Sequence, residues 1–192
     1  MKFHIQHYRK LPSTNRLALE QAIQNAAEGL VIVADYQTRG HGKLNRKWVS
    51  PPGKNLLFSV LLRPPMSPSQ APILTQIACR SVAKVLQSRY KIESTFKRPN
   101  DILVHGRKIC GILVEASSST KYRLDFAVVG IGLNVNSSSH ELITEAISIR
   151  DIKGKSYSRV ALLKAILKQL QNDLGKIYGN SREEVVINEK IS

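Results

Sequence analysis

Apolar and polar positions along the chain repeat with two different periods. Residues 13–27 are rich in helix formers, with Ser13 placed to cap the first turn and Gly29 to end the segment, which predicts a first helix. Residues 29–36 (GLVIVADY) and 55–63 (NLLFSVLLR) are short runs rich in β-branched and other apolar residues and predict two strands, separated by a polar loop over 37–54. Pro64, Pro65 and Pro68 stop the second strand. Beyond them Ile73, Ile77, Val82, Val85 and Leu86 recur at helical spacing up to Tyr90. Residues 92–97 predict a strand, Pro99, Asn100 and Asp101 a turn, and 102–104 with 109–115 a hairpin around His105 and Gly106. A further strand over 123–135 is interrupted by Gly130 and Gly132. Residues 158–178 place Val160, Leu163, Leu167, Leu170, Leu174 and Ile177 on one face of a long amphipathic helix. The last dozen residues carry no core pattern and are expected to fray.

Strands joined mainly by hairpins and short turns predict an α+β fold: a largely antiparallel or mixed sheet with helices packed against one side. A chain of 192 residues fits one domain, over 1–178, followed by a tail over 179–192. Composition agrees with a globular domain, at 42% hydrophobic and 22% charged residues. No stretch approaches the roughly 20 apolar residues of a membrane span, and residues 1–10 lack the apolar centre of a signal peptide, so a soluble cytoplasmic protein is expected. Cys79 and Cys110 are too few for a disulfide framework and too far apart for a metal knuckle.

Charge changes the picture. Lys and Arg number 29 against 14 Asp and Glu, a net +15, which calls for an anionic ligand or partner: nucleic acid, nucleotide phosphates or an acidic protein surface. The cations are dispersed and do not form a nucleic-acid arm. Arg39, Lys43, Arg46, Lys47 and Lys54 nevertheless share one acid-free loop with Gly40, Gly42 and Gly53. Glycines admit an anion close to backbone N–H groups and the cations neutralise it. Neither a P-loop nor a GxGxxG spacing is present, so composition reads this loop equally well as a solvated connection.

Its wording is more specific. QTRGHGKLNRKWVSPPGKNLLFSV resembles the signature loop of biotin protein ligases, and STN at 13–15, KRPNDI at 97–102, RKICGILVE at 107–115 and GIGLNVN at 130–136 agree with that family in order. The resemblance spans about residues 8–178. It implies the biotin/lipoate protein ligase catalytic-domain fold, related to class II aminoacyl-tRNA synthetases, and a two-step reaction in which biotin is activated by ATP and passed to a lysine of a biotin carboxyl carrier protein domain, such as that of acetyl-CoA carboxylase.

By that resemblance Ser13, Thr14, Asn15 and Gln37 face the ureido ring of biotin, while Gly40, His41, Gly42 and Lys43 wrap biotin and the adenylate. Gly111 lets the ring lie against its strand. Arg46, Lys43 and Lys97 serve phosphate, Trp48 covers adenine, Asn100 and, as the weaker candidate, Asp101 make adenosine or metal contacts, and Asn134 contacts the nucleotide. Lys108, with Lys43, is the catalytic cation at the biotin carboxylate and the α-phosphate. Ser13 reads equally as a helix cap, Trp48 as a loop anchor and Asn134 as a polar strand end. The family's loop arginines are His41 and Lys43 here, and its Trp is Arg98, which puts adenylate retention in question. Mg²⁺ is expected to arrive with ATP and to bind through phosphate, so no protein metal cluster is expected.

The STN motif begins at residue 13 and about 14 residues follow the last helix. This leaves no room for an N-terminal winged helix or a C-terminal barrel, and the expected protein is a ligase that does not repress through DNA. A homodimer stays open. The rival readings are a lipoate ligase or octanoyltransferase of the same fold, a basic nucleic-acid-binding module, and an inactive relative. Aromatic residues at 6%, with no stacking platform in the loop beyond Trp48, argue against single-strand binding.

Overall fold

The central strands show no inside–outside alternation, and the reason is that both faces of the sheet are covered. In the computed structural model, which describes residues 1–179 and 187–191, strands β2 (Leu30–Ala34) and β3 (Leu56–Leu62) are buried at every position. Continuous apolar runs are what a doubly covered sheet requires. Helix α1 (Thr14–Ile23) lies on one face, with Ala18 and Ala22 packed on Ile32, Leu61 and Val128. Helices α2 (Pro72–Tyr90) and α4 (Arg159–Tyr178) form the other layer, with Leu74, Val82, Leu163 and Leu170 in one cluster with Phe58, Val60 and Ile131. The expectation of helices on one side is therefore corrected: a strand buried on both faces carries no periodic signal of a second layer.

The α+β class holds, with a mixed, mostly antiparallel sheet of eight strands. Their order is β4 (Thr95–Lys97), β5 (Asp101–Val104), β6 (Arg107–Ser117), β7 (Phe126–Leu133), β3, β2, β1 (Phe3–Tyr8) and β8 (Ile187–Ile191). Strand β1 runs parallel to both β2 and β8, and the other neighbours are antiparallel. β1 escapes sequence reading because only Phe3 and Ile5 of its six residues are buried. β8 corrects the expectation of a frayed end, since its backbone pairs with β1; residues 180–186 and 192 of the expected tail lie outside the described residues. The short helix α3 (Ile149–Lys153) is set by a capping box between Ser148 and Asp151. Among the described residues no helix is long and apolar enough to cross a membrane.

The turn into β2 needs its glycine. Gly29 has φ 89°, and a Cβ there would sit 2.1 Å from the Lys2 carbonyl oxygen. Past the other end of β2, Asp35 ties three elements together: Arg159 donates to Oδ1 at 2.8 Å and His7 Nε2 lies 3.1 Å from the same atom. Burial alone raises a carboxyl pKa, but the bonds from Arg159 and His7 outweigh it and hold Asp35 below its ordinary value. A lowered folded pKa contributes stability that is complete above the unfolded value, about 3.9, and is lost as pH falls through the folded one. Asp35→Asn is thus expected to lower the urea midpoint at pH 7 and to flatten its acid dependence below about pH 4. An unchanged midpoint at pH 7 would show that the two contacts contribute nothing.

Candidate functional site

On the α1 side of the sheet, β6 and β7 form the floor of a cavity of about 430 Å³. Gly111 and Gly132 are direct partners in the β6/β7 register, and the Trp48 indole lies on them. A Cβ at Gly132 would come within 2.6 Å of the indole and one at Gly111 within 2.9 Å, so any larger residue at either position would displace the ring. Gly130, further along β7, makes room for Asn15 in the same way: a Cβ would fall 2.0 Å from Asn15 Oδ1.

One end of the cavity is cationic. Lys108 Nζ lies 2.7 Å from Asp101 Oδ1, off the hydrogen-bonding direction and therefore as an ion pair, and 5.4 Å from the centroid of the Trp48 ring. Its backbone is clamped: the Lys108 N–H donates to Glu145 O at 2.7 Å and its carbonyl accepts from Ile147 N–H at 2.9 Å. Lys43, Arg46, Lys47 and Lys97 line the same space, and the acids there are Asp101 and Glu145. Cations thus outnumber carboxylates, which suits a cavity holding more than one anionic group.

The opposite end is neutral and hydrogen-bonding. Thr14 donates to Gln37 Oε1 from both its N–H, at 2.7 Å, and its hydroxyl, at 3.0 Å. Asn15 Nδ2 donates to Leu113 O at 3.3 Å and to Glu115 Oε2 at 2.7 Å. Ser13 acts as the helix cap, accepting from Arg16 N–H at 3.4 Å, so its capping role is observed directly.

The basic loop closes over the site as a folded tongue. Gly42 N–H donates to Arg46 O at 2.7 Å, Trp48 N–H to Gly40 O at 2.9 Å, and His41 pairs with Lys47 across the tongue. Leu44 forms the tip, at φ 58° and 81% exposed. His41 Nε2 approaches Glu115 Oε2 at 3.8 Å. At the root Asn55, fully buried, donates to Ser50 Oγ and accepts from Val135 N–H, fastening the loop to the end of β7.

All the residues to which the resemblance gives a role at biotin or ATP line this cavity except Gly40 and Asn134; of the other loop residues Lys47 lines it, and Arg39, Gly53 and Lys54 do not. Gly40 is buried under the tongue, where a Cβ would meet Trp48 O at 2.8 Å. Asn134 is 3% exposed, and its Nδ2 donates to Lys108 O at 3.4 Å, so it supports the strand that carries Lys108. Asn100 Nδ2 likewise donates to Ile112 O at 2.8 Å. Sequence reading missed Ser59, Glu115 and Glu145. Ser59 had a signal, a lone hydroxyl inside an apolar run, which when buried needs a partner; Glu145 had none.

The chain is similar to known proteins in both sequence and fold. The family described as biotin/lipoate A/B protein ligase matches residues 8–134. The chain is 34% identical over 168 residues to the bifunctional ligase/repressor BirA of Bacillus spizizenii, covering 85% of this chain and 51% of that protein. It is 30% identical over 164 residues to the biotin–[acetyl-CoA-carboxylase] ligase of Mycobacterium tuberculosis, covering 83% and 59%. It therefore spans about half the length of these relatives. Among solved structures, a mutant biotin protein ligase from Aquifex aeolicus in complex with biotin superposes with a TM-score of 0.77 at 32% identity, covering 93% of this chain and 72% of that one. The Aquifex aeolicus enzyme in complex with biotin and ATP gives 0.74 at 30% identity, covering 94% and 72%.

Proposed function

The chain belongs to the biotin/lipoate A/B protein ligase family, and from that premise we propose that it activates biotin with ATP and transfers the biotinyl group to a lysine of a biotin carrier protein. The observation that carries this reading is the division of one cavity into a neutral hydrogen-bonding end at Thr14, Asn15 and Gln37 and a cationic end at Lys108, Lys43, Arg46 and Lys97. Biotin has the matching halves: a cyclic urea at one end and a carboxylate at the other.

In the first step a carboxylate oxygen attacks the α-phosphorus of ATP and pyrophosphate leaves. In the second, the acceptor lysine's amine attacks the carbonyl carbon of the mixed anhydride, loses a proton and expels AMP. Neither step uses a nucleophile on the enzyme. The protein's task is to bring two anions together and to stabilise charge at phosphorus, which positioned cations accomplish. Lys108 offsets the repulsion between carboxylate and α-phosphate, held near the floor by Asp101. Lys43 and Arg46, on the tongue, and Lys97 neutralise the remaining phosphate oxygens. Lys43 acts as a point charge where an arginine would present a fork.

Trp48, seated between the glycine floor and the loop, shields the reacting centre from water. Mg²⁺ carried by the triphosphate would add charge neutralisation, held through the phosphate oxygens. We assign the same chemistry a cytoplasmic setting and a carrier domain of the acetyl-CoA carboxylase type as acceptor. A lipoate substrate suits the site less well, because a dithiolane ring offers no N–H to the remaining lone pairs of Thr14 Oγ1 and Gln37 Oε1. Incubation with labelled biotin, Mg-ATP and a biotin carrier domain, with lipoate in parallel, is expected to label the carrier from biotin. Label from lipoate in its place would contradict the assignment.

A further inference from the structure

Behind the neutral end of the cavity stand two polar side chains that do not line it, Ser59 and Glu115. We propose that both are positioning residues, which fix Thr14 and Asn15 in the orientation that receives the cyclic urea and, through Glu115, join this cluster to the loop. The inference rests on the biotin ligase reading and adds to it a second layer of residues that set affinity for the ring.

Ser59 is fully buried in β3, in a strand whose other positions are apolar. A hydroxyl in such a place has to be paired. Its Oγ lies 2.6 Å from Asn15 Oδ1 and 2.8 Å from Thr14 Oγ1. It has one proton for these two acceptors. Thr14 spends its own hydroxyl proton on Gln37 Oε1. Whichever of the two takes that proton, Thr14 Oγ1 keeps at least one lone pair for an incoming N–H, which is what a cyclic urea presents.

Glu115 sets the other half of Asn15. The two amide protons of Asn15 go to Leu113 O and Glu115 Oε2, and its carbonyl faces Ser59 and the space left by Gly130. A flipped amide would place its oxygen against a carbonyl and a carboxylate and its NH₂ against Ser59, so the carboxylate fixes one orientation. The same Oε2 atom lies 3.8 Å from His41 Nε2 on the tongue. Glu115 thereby contacts both the ring-binding cluster and the loop that closes over it.

The test uses the full chain and measures the KM for biotin and for ATP in adenylate formation, with biotin binding by calorimetry. Removal of one partner of a hydrogen bond, buried at Ser59 and part-buried at Glu115, predicts that Ser59→Ala and Glu115→Ala each raise the biotin KM by about tenfold, and leave the ATP KM within about twofold. Glu115→Gln keeps an acceptor for Asn15 and is expected to recover most of the loss. A general weakening of the fold would move both constants and would not be rescued by glutamine. If Ser59→Ala does not fold, the Glu115 pair decides alone, because that side chain is 34% exposed and outside the core. Wild-type protein that binds biotin, with variants whose biotin KM is unchanged or whose ATP KM rises equally, overturns this proposal alone. Wild-type protein that binds no biotin overturns the ligase reading and this proposal with it.

Discussion

Lys108→Ala is expected to slow biotin-dependent adenylate formation by about 100- to 1000-fold, the usual cost of removing a preorganised group that stabilises transition-state charge. Two effects act in the same direction. The carboxylate and the α-phosphate lose the cation that offsets their repulsion, and Asp101 is left in the cavity without its counter-ion at 2.7 Å. Arginine is expected to restore little, because Gly111 and the Trp48 ring leave the ammonium closely confined: a Cβ at Gly111 would already lie 3.0 Å from Nζ. Stability should change little, since the side chain is 31% exposed and its role is not in packing. Pyrophosphate–ATP exchange driven by biotin measures the effect. A loss of less than about fivefold would mean that another cation carries the charge.

Gly130→Ala is expected to damage both the fold and the ring-binding end. The added Cβ would sit 2.0 Å from Asn15 Oδ1 and 2.8 Å from its Cγ. Asn15 is 4% exposed and held by Leu113, Glu115 and Ser59, so it yields only by breaking those bonds. Overpacking of this kind costs about 1–3 kcal/mol. For a chain of this size, at about 2–4 °C per kcal/mol, that is a fall in Tm of roughly 2–12 °C, together with weakened biotin binding. Gly175→Ala is the control. It lies inside α4 with open space around its Cβ, so alanine there is expected to stabilise by up to about 1 kcal/mol through helix propensity alone. Equal Tm values for the two variants would refute the close approach at Gly130.

Elements with long, regular patterns were legible before any coordinates. α2, α4 and the strand NLLFSVLLR are found within a residue or two of their expected bounds. α1 stops at Ile23, short of the expected 27, because Asn25 adopts φ 61° and leaves the helix. β1 was hidden by its polar residues. The second helical layer was hidden by the strands themselves, for the reason that a doubly buried strand does not alternate.

At the site, periodicity identified nothing; motif wording identified Lys108, Trp48 and the Thr14–Asn15 pair, and folding brings these together from three separate segments. Asn134 shows the limit of motif wording. A polar residue at a strand end can face a ligand or brace a neighbour, and the wording of the motif carries no sign of the hydrogen bond that Asn134 makes to Lys108 O. Ser59 and Glu115 act behind the residues that a motif marks, and their partners, 44 and 100 positions away at Asn15, are set by tertiary packing.

Biotin activation requires that the shared cavity let a carboxylate reach the α-phosphate of ATP without any acceptor protein. Incubating the chain with biotin and Mg-ATP alone, then analysing the mixture by mass spectrometry, tests this most directly. The expected products are biotinyl-5′-AMP and pyrophosphate, formed only when both substrates are present. Intact ATP and biotin after prolonged incubation of folded protein, or a lipoyl adenylate formed where the biotinyl one is absent, would contradict it.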